Sequence, residues 1–246
     1  MSKEDRRDVG RELLAEASER LRTIVGDAVD IRTHLAEAGI VASLLIASRK
    51  AALVVLRRRD LSAVERVFTG SISNAVAARS SCPVVIVPAG WDHATTHNRV
   101  VVGLDDTALS PEAIDFAFPT AQERKATLTA LHAWRAPVLY DDIIFSRTSE
   151  HTWRDTTQRH LDQELAPWRE RHPEVQCEVV VEYERPAQAL SAASASSDLL
   201  VVGRRTRPLP RGLALGSVTR ALVRACACPL VVTPHPEDAD VTDDEL

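Results

Sequence analysis

Residues 197–232, SDLLVVGRRTRPLPRGLALGSVTRALVRACACPLVV, have an earlier counterpart in residues 51–87, AALVVLRRRDLSAVERVFTGSISNAVAARSSCPVVIV. Gly70-Ser71 answers to Gly216-Ser217 and Cys82-Pro83 to Cys228-Pro229, both at an offset of 146 residues with no gap between them. An internal repeat constrains architecture before any residue is given a role. It also makes each copy a control for the other, because what one keeps and the other loses points to the copy that carries function.

The second copy reads as a complete alternation of strands and helices. Residues 100–104 (VVVGL) form an apolar run ending at Asp105-Asp106, as expected of a parallel strand buried on both faces. Ser110-Pro111 starts a helix that ends near Arg124, with Ser as N-cap and Pro at the first position. A strand follows over 127–134, a loop over 136–147, and one long helix over 150–171. Then come a strand over 175–181, a small-residue helix over 186–196, a strand over 199–202, a helix over 218–225 and a strand over 230–233. This order predicts an α/β fold, a doubly wound parallel sheet with helices on both faces.

The first copy holds only the later part of that plan. A long helix spans 4–25, and residues 29–35 match the third strand. A helix spans 40–48, a fourth-strand equivalent 53–56, a helix 71–79 and a fifth-strand equivalent 84–87. The first strand, first helix and second strand have no counterpart. The domains are therefore a truncated one over 1–88, a polar linker over 89–98, a complete one over 99–234 and an acidic tail over 235–246 that is expected to be disordered.

Composition narrows the classes. A net charge of −5 argues against a nucleic-acid binder with a basic face. The apolar runs fall far short of the ~18 residues of a membrane span. The polar start, MSKEDRRDVGREL, lacks the apolar centre of a signal peptide, so a cytoplasmic protein is expected. Cys226-Ala-Cys228 lacks a second Cys/His pair at zinc spacing, and the four cysteines read as structural. No metal site and no catalytic set stands out: there is no GxxxxGK(S/T) loop and no Ser-His-Asp arrangement, and His93 and His97 have only a weak ligand set around them.

Three features of the second copy converge. Asp105 follows the first strand, Gly203 ends the fourth, and Gly216-Ser217 opens the last helix. In a doubly wound sheet these two strands flank the point where strand order reverses, the usual place for a ligand. Gly203 would let the backbone approach that ligand. Gly216-Ser217 offers backbone N–H groups and a hydroxyl at a positive helix end, which suits phosphate. Each feature alone is more often a turn or a cap. Arg204, Arg205, Arg207 and Arg211 either pair with phosphate or lie solvated on the surface.

The pattern G-x2-T-x9-G-S from Gly203 to Ser217 resembles the G-x2-G-x9-G-(S/T) nucleotide motif of the universal stress protein family. VVVGLDDT (100–107), SDLLVVG (197–203) and CACPLVV (226–232) resemble that family's opening, fourth and closing strands. The whole chain resembles a tandem member whose first domain has lost its start. The resemblance implies a five-stranded sheet of order 3-2-1-4-5 in the C-terminal domain, with a partial copy of the fold at the N-terminus. It implies an adenine nucleotide, ATP, with magnesium as an optional companion. Asp105 would take the ribose or adenine side, and Ala133 would offer backbone to adenine. Val202 and Gly203 would lie under the nucleotide. Gly216, Ser217, Val218 and Thr219 would hold the phosphates. Thr206 stands where the family has its second glycine, and its Cβ would crowd the phosphate loop.

In the first copy the equivalents are Arg57, Asp60 and Gly70-Ser71. No strand carries the Asp, and an acid at Asp60 would repel phosphate, so no nucleotide is expected there and Gly70-Ser71 reads as a helix cap. The expected function is a stress-response protein with a nucleotide as switch or cargo. The alternative is a scaffold that acts through dimerisation without nucleotide. Enzymatic activity is not expected, slow ATP hydrolysis being a lesser reading. The family also pairs through its fifth strands, which predicts an intramolecular pseudo-dimer, or a homodimer, on residues 84–87 and 230–233. The bare edge of the fourth-strand equivalent then calls for a repair: residues 29–35 pair with it, another chain covers it, or translation begins upstream of Met1.

Overall fold

The computed structural model describes residues 2–37, 39–58, 66–105, 109–135, 147–204 and 215–235, with residues 3, 66–71 and 147–150 described by backbone alone. The chain divides into two compact units, Met1–Ser43 and Leu44–Leu246. The first holds α1 (Lys3–Val25). Its start is a capping box: Asp5 N donates to Ser2 Oγ at 3.0 Å and Ser2 N donates to Asp5 Oδ2 at 2.7 Å, so two otherwise orphaned donors are satisfied. The helix stops at Gly26, whose φ of 60° favours glycine.

The strand expected over 29–35 does not form; the segment is irregular and joins no ladder. An alternating sequence becomes a strand only beside a partner. In the full plan the third strand pairs with the second, which this copy lacks. Val29 and Leu35 are accordingly exposed. α2 (Ile40–Ser48) follows as expected.

The second unit is built on one seven-stranded sheet. Its strands are β1 (Val54–Arg57), β2 (Val84–Val87), β3 (Arg99–Leu104), β4 (Thr127–Ala133), β5 (Cys177–Glu182), β6 (Leu199–Gly203) and β7 (Leu230–Thr233). They lie in the order β1-β2-β7-β6-β3-β4-β5. The last five are all parallel and reproduce the 3-2-1-4-5 order of the complete copy. The core on one face gathers Val100, Val102, Leu128, Ala130 and Val201 beneath Ile114, Phe118, Leu161 and Leu165. These come from α4 (Pro111–Arg124) and α5 (Arg147–Glu164), with Leu165 just beyond. α7 (Pro186–Ser194) and α8 (Ser217–Ala225) pack together, and α8 also meets α3 (Arg66–Arg79).

The linker 89–98 does not separate two sheets. β2 before it pairs antiparallel with β7, through Val84↔Val232, Val85↔Val231 and Ile86↔Leu230. At the offset of 146, Val85 and Val231 are equivalent residues, and each flanking pair maps onto the other. The two fifth strands therefore meet within one chain about a local twofold axis, as the pairing expectation required. Hydrogen bonds repeat the symmetry. Val54 N donates to Pro83 O and Leu200 N to Pro229 O, each at 3.0 Å. Ser81 N donates to Ser48 Oγ at 3.2 Å, and Ala227 N to Ser194 Oγ at 3.0 Å.

Two equivalent arginines cross the seam. Arg58 Nη1 donates to Cys226 O at 3.0 Å and to Val223 O at 3.4 Å, at the end of α8. Arg204 Nη1 donates to Ser80 O at 3.1 Å and to Ala77 O at 3.3 Å, at the end of α3. Each copy thus supplies a cation to the carbonyl end of the other copy's last helix, where backbone acceptors and the helix dipole both favour it.

Two further expectations need correction. The single helix over 150–171 is two, because α6 (Ala166–Arg171) starts anew after Leu165. Pro167, near its start, has no N–H and its ring disfavours a continuous helix. Gly70-Ser71 is not a cap but lies inside α3, which begins at Arg66. The acidic tail after residue 235 lies outside the described residues.

Candidate nucleotide site

β3 and β6 are parallel neighbours, with Gly103 opposite Val202. The chain leaves β3 for β4 on one side and β6 for β7 on the other, so strand order reverses between them. Ligand-binding residues are expected at the C-terminal ends of these strands. Asp105, the residue after β3, is half-buried there. Val202 is buried within β6, and Gly203 is its last residue. Ala133 ends β4, buried, and pairs with Glu182 of β5. Thr206 lies outside the described residues, as do Asp106 and the segment 136–146 expected to be a loop.

α8 begins where expected. Gly216 is its N-cap, with φ −59° and ψ 159°. That backbone suits any residue, so glycine is not required there by conformation. Ser217 is exposed, Val218 half-buried and Thr219 buried. Arg220 N already bonds Gly216 O at 3.0 Å, and the N–H groups ahead of it lie at the positive end of the helix.

Gly203 is also a packing position. A Cβ built on it would lie 2.2 Å from Ser110 Oγ and 2.4 Å from Ser110 Cβ. The space that only glycine leaves is thus filled by the serine at the start of α4. Ser110 occupies the N-cap position but makes no cap bond; its hydroxyl instead donates to Glu112 Oε2 at 3.0 Å. The first copy has no equivalent of α4, and at the matching position Arg57 is exposed, with its Nη2 donating to Ala89 O at 2.9 Å.

Arg204 does not lie solvated on the surface. It is 4% exposed and turned to the end of α3, so its charge is engaged at the seam. Arg205, Arg207 and Arg211 lie outside the described residues.

An aromatic group beyond the ends of β4 and β5 was not foreseen as part of the site. Trp134 lies 5.0 Å from Trp153 and 5.6 Å from Tyr183, centroid to centroid. His132, buried in β4, lies 5.9 Å from Trp153, and its Nδ1 is 3.1 Å from Leu104 O. Trp134 and Tyr183 each follow the last residue of a strand, and that position is the signal that could have revealed them. Among the described residues no group of three or more His, Cys, Asp or Glu is placed to hold a metal ion. No helix among them is long and apolar enough to cross a membrane.

A doubly wound sheet whose last helix starts beyond the strand next to the switch point defines a Rossmann-like α/β architecture. The chain belongs to the universal stress protein family, whose pattern it matches over residues 1–88 and 96–234. It is 33% identical over 219 residues to a universal stress protein of Mycobacterium tuberculosis, covering 88% of this chain and 69% of that one. To another from the same organism it is 32% identical over 233 residues, covering 92% and 77%. Among solved structures, a universal stress protein from Archaeoglobus fulgidus superposes with a TM-score of 0.69 at 18% identity, over 96% of this chain and 79% of that one. A functionally unknown protein from Pseudomonas aeruginosa gives 0.68 at 12% identity, over 93% and 79%. These likenesses establish the fold.

Proposed function

We propose that the second copy binds one adenine nucleotide, ATP, as a switch or cargo of a stress-response protein. The observation that carries the reading is the shared placement of Asp105, Gly203 and the start of α8 at the strand ends where sheet order reverses. Ser217, Val218 and Thr219 would meet the phosphates with backbone N–H groups, and the Ser217 hydroxyl would add a donor. Asp105 would accept from the ribose or base, and Ala133 would lie beside adenine. Magnesium would arrive with the nucleotide, its coordination completed by phosphate and water. The proposal is one of binding, not turnover.

Titration calorimetry of the full chain with ATP tests it. Binding should be abolished by Gly216→Glu, which sets a carboxylate at the helix start, while the melting temperature is kept. No heat at millimolar ATP would reject the reading. A scaffold without nucleotide is the second reading, favoured by Ser110 filling the space over Gly203. It predicts partner capture unchanged by Gly216→Glu.

A further inference from the structure

Beside the seam, Ser80 of the first copy is replaced by Cys226 in the second. In the first, Ser80 Oγ lies 3.6 Å from Cys82 Sγ. In the second, 146 residues on, Cys226 Sγ lies 3.9 Å from Cys228 Sγ. A hydroxyl and a thiol touch in one copy; two thiols touch in the other. We propose that Cys226 and Cys228 are a dithiol modification site that a hydroperoxide oxidises to a disulfide, present in the second copy alone.

The surroundings favour Cys226 as the attacking thiol. The hydrogen bond from Cys228 draws the Cys226 thiol below its usual range, with Ser194 and the positive charge of Arg58 acting in the same direction. The same bond, with burial, holds Cys228 above its own range. A thiol that loses its proton more readily, next to one that keeps it, is the arrangement an attacking and a resolving cysteine require. Both sulfurs are buried. They lie in the turn after α8, however, where Ala225 and Ala227 on either side of Cys226 are exposed, so a local opening admits a small uncharged oxidant.

The chemistry balances with hydrogen peroxide as the oxidant. Cys226 gives up its proton as its sulfur attacks one peroxide oxygen; an S–O bond forms, the O–O bond breaks, and the released hydroxide takes that proton to become water. Cys228 sulfur then attacks the sulfenic sulfur. The S–S bond forms, the S–O bond breaks, and the hydroxyl leaves as a second water with the Cys228 proton. The sulfurs must close from 3.9 Å to about 2.05 Å. A disulfide between residues two apart closes a small ring, and strained disulfides are the readily reduced ones. The modification is therefore reversible by a thiol.

The test treats the full chain with hydrogen peroxide, blocks remaining thiols with iodoacetamide and cleaves with trypsin. Cleavage after Arg224 releases residues 225–246, which carry Cys226 and Cys228 and no other cysteine. The expected result is loss of two hydrogens from this peptide, reversed by dithiothreitol, while Cys82 and Cys177 stay alkylated. Two alkylated cysteines in the peptide after Cys177 has oxidised would overturn the proposal. So would an oxygenated sulfur that dithiothreitol does not reverse, or a cross-link to Cys82 or Cys177. Cys226→Ser reproduces the Ser–Cys contact that the first copy already packs, so it should fold with an unchanged melting temperature. In that variant Cys228 should remain alkylatable; its oxidation at the wild-type rate would equally overturn the assignment.

Discussion

The two copies share a seam but not a binding edge. At the seam their contacts correspond: β2 meets β7 about Val85 and Val231, Arg58 and Arg204 cross to opposite helix ends, and Ser48 and Ser194 brace equivalent turns. Away from it they diverge. Gly203 is packed under Ser110 while its counterpart Arg57 is exposed, and α8 starts at Gly216 while α3 runs through Gly70. What the repeat retained is the surface through which the copies hold each other. What the first copy lacks is the set of elements that would flank a switch point.

That contrast can be broken most sharply at Gly203. Gly203→Val should destabilise the protein by about 3 kcal/mol through overpacking against Ser110, whereas Arg57→Val should stay within about 0.5 kcal/mol. Urea denaturation measures both. Because Ser110 is the obstacle, Ser110→Gly should recover most of the loss caused by Gly203→Ala, and a cycle with no coupling would refute the close contact.

The crossing arginines give the next largest effect. Arg204→Met should cost about 2–3 kcal/mol, since it strips two buried carbonyls of a charged donor. Arg58→Met, at a half-buried position, should cost about 1–2 kcal/mol by the same mechanism. Equal and negligible losses in the denaturation midpoints would remove the reciprocal caps from the account. Smaller still, Ser48→Ala and Ser194→Ala should each cost about 1 kcal/mol, because each hydroxyl accepts one part-buried hydrogen bond, from Ser81 N or Ala227 N, and donates another, to Leu45 O or Ser191 O. Here equality is the prediction, and a difference above about 1 kcal/mol would show that the local twofold is not energetic.

Much of this was legible in the sequence because the repeat carries its own register. The offset of 146 that aligns Gly70 with Gly216 also aligns the closing strands, and apolar runs such as VVVGL mark buried parallel strands without further help. The errors came from partners distant in sequence. Residues 29–35 have the alternation of a strand, but nothing local says that its ladder partner is missing. Gly203 looks like a glycine kept clear for a ligand, and only the folded chain shows Ser110 in that space. Arg204 sits in a run of basic residues and reads as surface, although the carbonyls it meets are in the other copy. The break at Pro167 was readable from proline chemistry, but the spacing of Trp153, Leu161, Leu165 and Trp168 suggested one continuous helix.

The central claim is a division between a copy that binds and a copy that pairs. Equilibrium dialysis of the full chain against labelled ATP tests it most directly. One nucleotide per chain, lost in Gly216→Glu and kept in Arg57→Ala, is the predicted result. Two nucleotides per chain, none, or one that persists in Gly216→Glu would contradict it.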